Sequence, residues 1–140
     1  MSFVQTTSTL THHAVITMLN AAIAKAEETG QPQCIHIVDA SGETLGEIRM
    51  TGAKFLSRKS ARAKARTAAS IQAGSDAIPE HVRLHIAAAT EGDVTGLAGG
   101  LPISIDGEHL GGIEVGSGSP DQDQAVAIAA LQSVGALSSI

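Results

Sequence analysis

The chain has 140 residues, 43% hydrophobic and 16% charged, the balance of one globular domain rather than of a disordered chain. Phe, Tyr and Trp together amount to two phenylalanines, which excludes sites built on ring stacking, among them most single-stranded nucleic-acid platforms. A net charge of −5 disfavours general polyanion binding, and no apolar run approaches the ~20 residues of a membrane span.

Met1 to Leu10 is polar and lacks the basic and apolar regions of a secretory signal. The lone Cys34 has no intrachain partner for a disulfide. Both features lead to the expectation of a cytoplasmic protein. Thr11 reads as an N-cap, after which Val15, Met18, Leu19, Ala22, Ile23 and Ala26 recur at helical spacing until Gly30. Cys34 to Val38 and Glu43 to Met50 read as an antiparallel hairpin about the turn residues 39–42. A basic, alanine-rich helix is expected from about Ala53 to Gln72, and a shorter one from Pro79 to Ala89. A glycine-rich loop, residues 91–100, leads to strands at Leu101–Ile105 and Leu110–Val115, joined by Asp106-Gly107. Ser119-Pro120-Asp121-Gln122 is a capping box that opens a last helix, with Val126, Ala129, Ala130 and Leu131 inward and an end near Gly135. The expected class is α+β, a small antiparallel sheet of two hairpins with about four helices in the order α-β-β-α-α-β-β-α, in one domain spanning 1–140.

The basic segment is concentrated. Seven of the nine Lys and Arg residues lie between Glu47 and Asp76, where no acid intervenes. On a helix, Arg58, Arg62 and Arg66 share one stripe with Lys59 nearby, read as a solvated surface or a subunit contact. Ser60, Lys64, Thr67, Ala68 and Ile71 gather on the opposite face. Lys64 there either snorkels along the packing face or points its amine into a pocket, where with Thr67 it would hold an anion. Glu114 alternates with Ile113 and Val115 and so faces either solvent or a cavity; in a closed cavity it becomes a candidate general acid or base. His81 and His85 are four apart, but without a third ligand no metal site is expected. His12 and His13 fall in the first turn of the first helix. His36 reads as a hydrogen-bonded sheet histidine and Cys34 as a small strand hydrophobe. Spacing alone gives no Ser-His-Asp or Cys-His triad.

Together the segments resemble a known family. They are Leu10-Thr11 with the helix ending Ala24-Lys25-Ala26-Glu27, then Val38-Asp39-Ala40-Ser41-Gly42, Arg49-Met50-Thr51-Gly52-Ala53 and Ala61-Arg62-Ala63-Lys64-Ala65-Arg66-Thr67-Ala68. Gly99-Gly100-Leu101-Pro102-Ile103 and Ser119-Pro120-Asp121-Gln122-Asp123 complete the set. Their order, from Leu10 to Leu131, is similar to that of the GlcG/HbpS family, the haem-binding module also found at the C-terminus of PduO-type proteins. The resemblance implies a profilin-like α/β sandwich, homo-oligomers from dimer to octamer, and binding of haem, with haem degradation or iron sensing in some members. It maps a haem-associated threonine to Thr67 and an iron-ligating N-terminal histidine to His12 or His13.

The chain departs from the family pattern at Thr51, usually Asp, at Ala98, usually Pro, and at Gly116-Ser117-Gly118, usually Ser-Gly-Ala. It also has Glu114 where the family has glycine. Two functions follow as expectations. One is a cytoplasmic tetrapyrrole-binding protein using Thr67, Lys64 and His12 or His13. The other is a small-molecule lyase, isomerase or hydrolase beside catabolic enzymes, with Glu114 as acid/base and Arg49 or Lys64 anchoring a carboxylate near Gly100 and Pro102. Neither involves nucleic acid or a membrane.

Overall fold

In the computed structural model, residues 1–136 are described. Helix α1 spans His12–Thr29, with the Thr11 side chain accepting from Ala14 N–H and Gly30 closing the helix in the left-handed conformation at φ 74°. Strands β1 (Cys34–Asp39) and β2 (Thr44–Arg49) form the first hairpin. Helix α2 spans Ser57–Ile71, α3 Arg83–Ala89, and α4 Pro120–Ser133. Strands β3 (Leu101–Ile105) and β4 (Glu108–Gly116) form the second hairpin, with Asp106 and Gly107 both at positive φ, the geometry an Asp-Gly turn favours. The Ser119 capping box is formed in both directions.

Some boundaries move. Helix α2 starts at Ser57 rather than Ala53, because Gly52 at φ 93° and the Ala53 N–H to Met50 O bond make residues 50–53 a turn. Pro79 is followed by a 3-10 turn, Glu80–Val82, so only Arg83–Ala89 is α-helical. In α4, Ala127 is buried whereas Ala129 is half-buried.

The sheet is wholly antiparallel with strand order β2-β1-β4-β3, so the two hairpins meet along β1 and β4. One face carries Ile35, Ile37, Ile103, Ile113 and Val115, which pack with Met18 and Ala22 of α1 and Val126 and Leu131 of α4. The other face is different. There Val38 packs on Ala65 and Ala69 of α2, and β4 presents Gly112, Glu114 and Gly116. A side chain at Gly112 would run into the Ala65 carbonyl, so α2 rides directly on the glycines. This is how a chain with almost no rings makes a dense interior: alanine on the helix, glycine on the strand.

Burial on α2 extends further round the helix than the expected stripe. Ala61, Ala63, Ala65 and Ala69 are buried besides Thr67 and Ala68, because the loop before β3 covers a second side of the helix. Arg58, Lys59 and Arg62 are exposed as expected.

Candidate functional site

Glu114 is the wide side chain in the glycine lane of β4, and it is fully buried rather than part of a solvated face. Lys64, one helical layer above, brings Nζ to 2.5 Å from Glu114 Oε1. The two groups are in direct contact, and Glu114 Oε2 has no hydrogen-bond partner among the described residues. Burial pushes the Glu114 pKa up to about 8; the Lys64 charge opposes that rise and Asp123 adds to it. Gly99 closes the carboxylate from above. A Cβ there would stand 2.7 Å from Oε1, and the φ of 126° is itself one that side chains avoid.

A cavity of about 530 Å³ opens over this pair, walled by Lys64, Gly99, Gly100, Leu101, Pro120 and Asp123. Lys64 therefore lines the cavity while its amine meets Glu114, which stays behind it out of the lining. Asp123, pushed up by partial burial, accepts from Gly118 N–H at 2.9 Å. Gln33 is fully buried and lies close to it, beside Gly118. Sequence reasoning missed Gln33 and Asp123; the acid at the fourth position of the capped helix was the visible signal, and Gln33 had none.

The other expected residues are dispersed. Thr67 is fully buried; its hydroxyl donates to Ala63 O at 2.7 Å and accepts from Thr95 N–H at 2.9 Å. It is thus a tie between α2 and the following loop and offers no open coordination position. Gly100 lines the cavity, but its N–H donates to Ser75 Oγ and its carbonyl accepts from Ser75 N–H. Pro102 is buried opposite Gly112 and does not line the cavity. Arg49 is exposed on β2 in a different, smaller cavity beside Cys34 and Arg58, so it and Lys64 do not converge on one anion.

The histidines divide clearly. His36 hydrogen-bonds to Thr44 through Nε2 and has Nδ1 2.9 Å from Glu47 Oε2, and His109 Nε2 is 2.7 Å from Ala69 O. His12 and His13 are exposed, with ring centroids 4.2 Å apart and no side-chain hydrogen bond among the described residues. His81 and His85 are also exposed, and the described residues hold no group of three His, Cys, Asp or Glu side chains placed to bind a metal. Cys34 is buried, as a strand hydrophobe should be. No helix among the described residues is long and apolar enough to cross a membrane.

Comparison with known proteins adds four findings. The model of a family described as haem degrading protein HbpS-like matches residues 10–132. An uncharacterised 15.0 kDa protein of the dhaT-dhaS intergenic region of Citrobacter freundii is 31% identical over 91% of this chain and 93% of its own. The corrinoid adenosyltransferase PduO of Salmonella typhimurium is 28% identical over 89% of this chain, which spans only 39% of that relative's length. Among solved structures, a PduOC:heme complex superposes with a TM-score of 0.83 at 26% identity, over 93% of this chain and 98% of the other.

Proposed function

This chain belongs to the HbpS-like haem degrading family, and from that premise we propose that it binds haem or a related tetrapyrrole through an exposed histidine at the start of α1. The observation that carries the reading is the pair His12 and His13. An iron porphyrin needs an imidazole with a ring nitrogen free and reachable, and these two meet that requirement near the N-terminus, where the family resemblance puts an iron ligand. Thr67 and Lys64, the other expected contacts, are engaged with Thr95 and Glu114. A bound haem would supply redox-active iron; His12 or His13 would hold it through a ring nitrogen and, with so few rings in the chain, aliphatic side chains would face the macrocycle.

Titrating the apo-protein with haemin is the test. A saturable Soret shift is expected in the wild type and in Thr67→Val, and its loss in the His12→Ala/His13→Ala variant. A Soret shift that survives removal of both histidines sinks the assignment. The same reading includes a cytoplasmic setting and assembly into homo-oligomers between dimer and octamer, which light scattering would measure.

A second reading, a small-molecule enzyme, is favoured by the buried Lys64–Glu114 pair under a cavity of about 530 Å³. Because Glu114 is sealed by Gly99, Lys64 is the group that would meet a substrate, with Glu114 behind it holding the amine in place. Arg49 takes no part in that site. If Glu114→Gln left turnover of an identified substrate unchanged across pH, this reading would fail.

A further inference from the structure

On the far side of α2 from the Lys64 cavity, three side chains of the first hairpin stand in contact in series, Glu47 to His36 to Thr44. His36 Nδ1 is 2.9 Å from Glu47 Oε2, and His36 Nε2 is 2.7 Å from Thr44 Oγ1. An ionised carboxylate attracts a proton on the ring nitrogen that faces it, which places the proton of the neutral ring on Nδ1. The lone pair of Nε2 then accepts the Thr44 hydroxyl. That order of nucleophile, base and orienting acid is the one used in nucleophilic acyl transfer, at its characteristic distances.

The backbone puts it together by an irregularity. His36 faces Glu47 across the ladder, and Ile37 faces Gly46, so regular pairing would set Val38 against Leu45. Instead the register shifts and Val38 faces Thr44. The shift turns Thr44 onto the face of Glu47 and His36, as bulges beside functional sites do. His36 itself is 2% exposed, and burial lowers its pKa, leaving a neutral imidazole at pH 7.

A cavity of about 720 Å³ opens over the three residues. Phe55 and Leu56, 75% and 65% exposed, give it an apolar wall. Arg58, Lys59 and Arg62 give it a cationic one. Arg58 is 3.7 Å from Glu47 Oε1, whereas Lys59 and Arg62 have no ion pair among the described residues.

We propose that Thr44, His36 and Glu47 form a hydrolytic site for small esters that carry an acid group and an apolar chain. Thr44 Oγ1 attacks the ester carbonyl while its proton passes to His36 Nε2. The bond from carbonyl carbon to leaving oxygen breaks, and that oxygen takes the proton from Nε2, leaving an acyl ester on Thr44. Water then attacks the acyl carbon, giving its proton to Nε2; the acid departs and the proton returns to Thr44 Oγ1. The net reaction is ester plus water to acid plus alcohol. Glu47 keeps the ring in the required tautomer and stabilises the imidazolium. The Arg58 guanidinium is the cation available to the oxyanion, and Arg62 and Lys59 select an acid-bearing substrate. Nothing in this site depends on haem.

The probes are 4-nitrophenyl butyrate and the mono-4-nitrophenyl ester of glutaric acid, assayed with the wild-type chain and with Thr44→Val, Thr44→Ser and Arg62→Ala. The wild type should release nitrophenolate faster than buffer and prefer the acid-bearing ester. Thr44→Val, a change at an exposed position, should lose at least about tenfold, Thr44→Ser should retain the rate, and Arg62→Ala should lose the preference. Mass spectrometry of a quenched reaction should find the acyl group on Thr44. No hydrolysis above buffer, a wild-type rate in Thr44→Val, or acylation confined to lysines would overturn the proposal.

Discussion

Lys64 Nζ lies 2.5 Å from Oε1 of Glu114, tying the middle of α2 to the middle of β4 through the one wide side chain in a lane of glycines. The pair is buried on both sides, with Lys64 at 11% and Glu114 at 1% side-chain exposure. Charges withdrawn from water to this degree cost free energy unless each finds a partner.

The pH dependence of stability follows from that burial. The Glu114 pKa rises from 4.5 unfolded to about 8 folded. Its contribution to stability is therefore complete below pH 4.5 and is lost as pH rises through 8. Glu114→Gln, which mimics the protonated acid, should flatten the fall in melting temperature between pH 5 and 8. Thermal scans of both proteins across that range check it; parallel curves would show that Glu114 does not titrate in this window.

Removing the cation alone should be worse than removing the pair. Lys64→Met leaves a buried carboxylate without its partner and should cost about 3–5 kcal/mol at pH 8, with a smaller loss at pH 5 where Glu114 is protonated. Adding Glu114→Gln to Lys64→Met should recover much of the loss at pH 8. Urea unfolding of the four proteins closes the cycle, and simple additivity would rule out the coupling.

The glycine lane predicts two different alanine effects. Gly112→Ala drives a methyl into the Ala65 carbonyl and should cost several kcal/mol, because backbone must shift. Gly107→Ala meets nothing within 4 Å and bears only the strain of its φ of 79°, about 1 kcal/mol. Equal melting temperatures for the two variants would contradict the close seating of α2.

Thr67 should behave as a structural residue. Thr67→Val keeps the shape but leaves the buried Thr95 N–H without its acceptor, at a cost of about 1–3 kcal/mol. Hydrogen exchange should quicken at Thr95 while haemin affinity of the folded protein stays unchanged. A large fall in haemin affinity would return Thr67 to the binding site.

The resemblance and the local signals carried most of the architecture. Thr11, Gly30, Asp106-Gly107 and the Ser119 box were each legible, because caps and tight turns are specified by residues within four positions of one another. Where a start was misread, as at Ala53, helix-forming residues lay inside a turn fixed by Gly52 and the bond to Met50. The site was less legible. Lys64 on the packing face and Glu114 between Ile113 and Val115 were visible as out-of-place charges, but their meeting was not, since they lie 50 positions apart. Arg49 was assigned to the same anchor and belongs elsewhere.

The near absence of aromatic rings was determined by sequence alone, and with it an interior built from aliphatic side chains, alanine and glycine. So was the order of helices and hairpins, which depends on local spacing. Only the tertiary structure decided that α2 descends onto Gly112 and Gly116, that Glu114 is thereby sealed against Lys64, and that a shifted register turns Thr44 toward His36. The physical reason is common to all three. Burial, ion pairing and register across strands are properties of the space between elements, and the spacing of residues within one element does not specify them.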